Sequence, residues 1–113
     1  MANSQWRVFE LEALIDKADS RDAPYLEFLR VPSLSCGIYQ VAAGSTDMQG
    51  YHDEDEVYLV VKGKGRLRVE DEDRMVGPGS VLYVSATSEH SFFEIEEDMT
   101  MLVFFSTPVS GMR

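Results

Sequence analysis

Histidine and cysteine are scarce in this chain, with two of the first and one of the second in 113 residues. A lone Cys36 excludes an internal disulfide framework. Residues 1–16 show no basic leader followed by an apolar core, and the two features together lead us to expect a reducing, cytoplasmic setting. Basic residues are also few: 10 Lys and Arg stand against 20 Asp and Glu, for a formal net charge of −10. Such a surface repels phosphate backbones and offers no cationic stripe, so nucleic acid is not expected as a partner. The acidity serves solubility and by itself specifies no partner. No apolar run approaches the roughly 20 residues that a membrane-crossing helix needs, so no membrane is expected either. Internal repeats, low-complexity tracts and interdomain linkers are absent as well.

What the chain does have is core material, at 44% hydrophobic and 11% aromatic residues. That composition folds, and the length suits one hydrophobic core. We expect a single domain over residues 1–113, with a helical segment over 1–24, a barrel over 25–107 and a tail over 108–113. Leu11, Leu14, Ile15 and Ala18 recur at offsets of three, four and seven and predict one short helix, broken by Ser20, Asp22 and Pro24. From Tyr25 onward the pattern is all-β. Strands are predicted over 25–31, 35–41, 56–61, 66–69, 80–84, 90–95 and 100–105. Turns are expected at Pro32-Ser33, Gly63-Lys64-Gly65, the acidic run 70–73 and Gly77-Pro78-Gly79. Short strands at such regular spacing argue a sandwich or barrel.

Both histidines, His52 and His90, sit at predicted strand boundaries, where side chains line a barrel mouth. His52 lies four residues before Glu56. On a helix that spacing shares a face, but Val57-Tyr58-Leu59-Val60-Val61 is strand material. On one straight strand four residues span roughly 13 Å, too far for joint ligation of a cation. A hairpin turned by Asp53, Glu54 and Asp55 would place His52 and Glu56 opposite each other, and this is the arrangement we expect.

The stretch 44–63 resembles the first motif of the cupin superfamily, G-x5-H-x-H-x3–4-E-x6-G, with Gly44, His52, Glu56 and Gly63 at its spacing. The stretch 79–94 resembles the second motif, G-x5-P-x-G-x2-H-x3-N. Gly79 and His90 match it, while Ser85, Thr87 and Glu94 replace Pro, Gly and Asn. The resemblance implies a jelly-roll β-barrel, a homodimer formed through strands near the N-terminus, and one divalent transition metal. It carries His52, Glu56 and His90 over as metal ligands. Gly50 stands where the first motif histidine belongs and offers no ligand. Gln49 and Tyr51 are adjacent stand-ins, although regular strand geometry points both away from the face of His52; a bulge at Gly50 would reverse that.

Two histidines and a carboxylate are the set that holds non-haem iron(II) with open positions. The same set suits zinc, manganese, nickel and cobalt. The alternative is a barrel that kept its fold and lost its metal, with His52 an exposed turn residue and His90 hydrogen-bonded in the wall. Strand parity from Glu56 sends Tyr58 and Val60 inward, and parity from His90 sends Phe92 and Glu94 inward. Tyr58 and Glu94 are therefore the candidate proton-handling residues. For the strand over 35–41 two phases remain open, with either Tyr39 and Val41 or Ile38 and Gln40 inward. Met101, Val103 and Phe104 read as core. The resulting expectation is a metal-binding cupin that takes a small organic ligand in its barrel. By resemblance its enzymatic forms are a dioxygenase or an isomerase or lyase. A non-catalytic binding or sensor module is the competing class.

Overall fold

The structure is a computed structural model that describes residues 5–49 and 53–106. One helix precedes seven strands: α1 (Leu11–Asp19), β1 (Tyr25–Val31), β2 (Leu34–Val41), β3 (Asp47–Gln49), β4 (Glu56–Val69), β5 (Glu72–Val76), β6 (Val81–Val84) and β7 (His90–Ser106). All strand pairings are antiparallel. The expected all-β barrel with a short N-terminal helix is the architecture found.

Two long strands organise it. The end of β4 near Glu56 pairs with β6 and with the end of β7 near Phe105. The end near Val69 pairs with β5 and with the start of β7 at His90. A straight β4 would hold Glu56 and Val69 about 43 Å apart. Yet His90, in register with Val69, brings its ring to 3.4 Å from the Glu56 carboxylate. Both long strands therefore double back, and each serves two layers. One layer runs β1, β2, late β7, early β4, β6; the other runs β3, early β7, late β4, β5.

The bend corrects the expected turn at Gly63-Lys64-Gly65. The chain stays in β4 there, and the register against β7 shifts between Val60 and Lys62, between Lys62 and Lys64, and between Lys64 and Arg66. Gly63 has φ +93°, and a Cβ on it would sit 2.2 Å from the backbone oxygen of Asp98. Only glycine lets the two backbones cross this closely at the corner. The acidic turn is tighter than expected, and Glu72 already begins β5, a strand that charge-rich residues conceal from a hydrophobic-pattern reading. The strands expected over 90–95 and 100–105 are one strand, β7.

Core burial settles the open phase of β2. Val41 and Tyr39 pack with Val60, Phe92, Met99, Met101 and Val103 inside the barrel. Ile38 faces outward and joins Ala18 of α1 and Leu26 of β1, against which Leu14, Phe28 and Leu102 pack. The apolar stripe of α1 thus covers the outer face of one layer. Met101 and Val103 are core as expected, but Phe104 is not. It alternates outward onto the same outer face and remains exposed.

Candidate metal centre

The folded-back strands bring Glu56 from one layer and His90 from the other to the same end of the barrel. Each is the first residue of its strand, and both are buried, with 2% and 3% of their surface exposed. Tyr58, two residues along β4, is on the same inward face, as parity requires. Its hydroxyl donates to Glu56 Oε1 at 2.6 Å and lies 3.2 Å from His90 Nε2. The Tyr58 ring also packs edge-on against Phe92, with centroids 5.3 Å apart. Carboxylate, phenol and imidazole therefore converge on one apolar-walled point.

Electrostatics favour a charged interaction at that point. Burial pulls the imidazole of His90 down, but the hydrogen bond and charge of Glu56, the Ser88 carbonyl and the charge of Asp47 together outweigh it, and the net direction is upward. With its proton on Nδ1, the imidazole can donate a hydrogen bond to the Ser88 carbonyl at 3.3 Å, which leaves Nε2 turned toward Glu56. That division of roles is the one a metal-ligating histidine needs. The donor separation also fits. Two ligand atoms each about 2.0–2.1 Å from one ion, at a tetrahedral angle, lie about 3.3–3.4 Å apart. Glu56 Oε1 and His90 Nε2 are 3.4 Å apart.

Of the other candidates, His52, Gly50 and Tyr51 lie outside the described residues, and no cluster of three His, Cys, Asp or Glu suited to a metal occurs among those described. Gln49 stands in β3 at the register position opposite His90. The hairpin expected between the strands flanking Asp53-Glu54-Asp55 is corrected at its Glu56 end, where β6 and β7 take both edges of β4, while its His52 end lies outside the described residues. Convergence comes from the barrel closing, not from a local turn.

The inward orientation expected for Glu94 is corrected too. Its φ is +47°, a bulge that breaks the alternation, so Ile95 points into the core instead. Glu94 turns to solvent, its side chain 66% exposed and ion-paired with Arg66 at 2.9 Å. It does not join Glu56, Tyr58 and His90.

Sequence reasoning gave Asp47 no role and Asp55 only that of a turn residue. Asp47 begins β3 opposite inward-facing Phe92 and accepts a hydrogen bond from the Tyr39 hydroxyl. Asp55 is a clasp and not a freely solvated turn residue. Its side chain accepts the Ala86 N–H at 2.7 Å, and its backbone bonds Ser106 in both directions. It ties the segment leading into β4 to the loop before His90. No local signal distinguishes it from its acidic neighbours, because the bonds span 31 and 51 residues.

A family model described as "Cupin domain" matches residues 37–105, which run from within β2 to the penultimate residue of β7. The chain belongs to the cupin family. This cupin is 43% identical over 104 residues to an uncharacterized protein of Streptomyces coelicolor, covering 92% of this chain and 99% of that one. It is 34% identical over 73 residues to an L-ectoine synthase of Rhodococcus opacus, 63% of this chain but only 54% of that protein. Among solved structures, ectoine synthase from P. lautus superposes with a TM-score of 0.73 at 21% identity, over 95% of this chain and 82% of the other. That likeness is one of fold.

Proposed function

We propose that this cupin binds one divalent transition metal through His52, Glu56 and His90 and uses it to hold a small organic ligand in the barrel. The observation that carries the reading is the buried meeting of the Glu56 carboxylate and His90 Nε2 at 3.4 Å, a separation suited to one shared ion. His52 supplies the third ligand by its place in the first cupin motif, and Gln49, opposite His90 in register, is the nearest stand-in for the histidine that Gly50 replaces. Iron, zinc, manganese, nickel and cobalt all accept this donor set. Bound there, the metal would polarise an oxygen of the ligand or of water.

The chain's own residues do the remaining work. Phe92, Val60 and Val103 keep bulk water from the interior and strengthen every polar interaction inside it. Ser88 orients the imidazole through its carbonyl. Tyr58 holds a proton at its Oη, shared with Glu56, where it can be passed to or taken from a bound ligand. That hydroxyl favours a catalytic form of the reading, a dioxygenase or an isomerase or lyase, over a passive sensor. We place the protein in the cytoplasm as one domain that forms a homodimer, with a small molecule rather than nucleic acid or membrane as its partner.

Elemental analysis of protein purified without chelator tests the metal. About one ion per chain is expected, falling severalfold in His52→Ala and His90→Ala. Metal far below one per chain, or equal content in the variants, would sink the proposal. Turnover of small hydroxylated, keto or phenolic compounds by the loaded protein then separates enzyme from sensor.

A further inference from the structure

The hydroxyl of Tyr25 is a buried side-chain polar atom without a hydrogen-bond partner among the described residues. Buried hydroxyls are nearly always bonded, because an unpaired one forfeits its hydration. The placement of this one is specific. Tyr25 opens β1 in register with Tyr39 of β2, on the inward face. Its ring lies across Gly37, where a Cβ would sit 2.3 Å from the phenol carbon and oxygen. Any other residue at 37 would push the ring out. The ring meets Phe105 edge-on at 6.0 Å, and Phe105 is the β7 partner of Glu56. The unpaired hydroxyl thus belongs to the same interior as Glu56, Tyr58 and His90, on the opposite side of Glu56 from β6.

We infer that Tyr25 is a positioning residue, its O–H reserved for an oxygen acceptor on the ligand, which is a neutral carbonyl or hydroxyl oxygen. This rests on the reading that a small molecule occupies the barrel. The donor is well matched to a neutral acceptor: burial first, then the charges of Glu27, Cys36 and Glu56 against the opposing Arg30, push the phenol up to about 12. It stays protonated, and the surrounding negative charge disfavours a carboxylate beside it. The hydroxyl has no exposed surface in this state, so the acceptor enters as neighbouring side chains part.

The experiment uses protein labelled at the tyrosine Cζ carbons with ¹³C, Tyr25 being assigned by Tyr25→Phe. Acetamide, propane-1,2-diol and acetate serve as probes. Saturable movement of the Tyr25 signal with acetamide or the diol is expected. Tyr25→Phe should weaken that probe about three- to tenfold, the effect of one hydrogen bond. The same variant should melt no lower than the parent, since the hydroxyl it removes bonds nothing among the described residues. Movement with acetate alone, no movement with any probe, or a lowered Tm in Tyr25→Phe would each overturn the inference. Metal content measured on the same samples keeps the two proposals separate. Normal metal with an inert Tyr25 refutes only this one, and a responsive Tyr25 without metal refutes only the other.

Discussion

At the residue scale, the candidate site is built from a few side chains whose burial the alternation rule anticipated, and the rule misplaced one other. Glu56, Tyr58 and Val60 follow the period of two and all point inward. His90 and Phe92 do the same, and then Glu94 breaks step. Parity counts residues on a regular strand and cannot register a bulge, and Glu94 carries no glycine or proline to announce one. Tyr25 leads to a pH prediction. Its pKa rises from 10.0 to about 12 on folding, so the fold favours the neutral phenol. Stability from that preference is complete below pH 10 and is lost as pH rises through about 12. Between pH 9 and 11.5 the urea midpoint of the parent should therefore fall more steeply than that of Tyr25→Phe, in which the group is gone. Parallel decline in the two proteins would contradict the assignment.

At the element scale, helix α1 and most strands were legible because their apolar spacing is local. The helix was recognised from Leu11, Leu14, Ile15 and Ala18, and it docks by Leu14 and Ala18. What escaped the sequence was the continuity of β4 and β7. Gly63 and Gly65 look like a turn in one dimension, whereas in three they are a corner where the strand is pressed against Met99 and Ile95. Gly63→Ala should cost about 2–4 kcal/mol in chemical denaturation, from a strained positive φ and a backbone collision. Gly77→Ala is the control. A Cβ there meets nothing closer than 3.9 Å, and its effect should stay within about 1 kcal/mol. Equal costs for the two would show that the corner does not depend on the missing side chain.

At the scale of the whole molecule, the doubled-back strands explain how residues 34 positions apart in sequence become neighbours, with Glu56 contributed by one layer and His90 by the other. Each of the two motifs contributed one residue of the buried pair, Glu56 from the first and His90 from the second, while His52 lies outside the described residues. The motifs could not announce the route, and the local hairpin expected at Glu56 was the wrong one. The clasp from Asp55 to Ala86 and Ser106 holds the loops at this end together, so the approach of Glu56 and His90 is a property of barrel closure.

The central claim is that one metal ion sits between Glu56 and His90. Anomalous diffraction from crystals of protein purified without chelator, recorded above and below the absorption edge of the metal found by elemental analysis, addresses it directly. The account predicts one anomalous peak per chain, about 2.0–2.2 Å from both Glu56 Oε1 and His90 Nε2, with His52 as a third ligand. An interior without such a peak, in which Tyr58, Glu56 and His90 simply hydrogen-bond to one another, would contradict it.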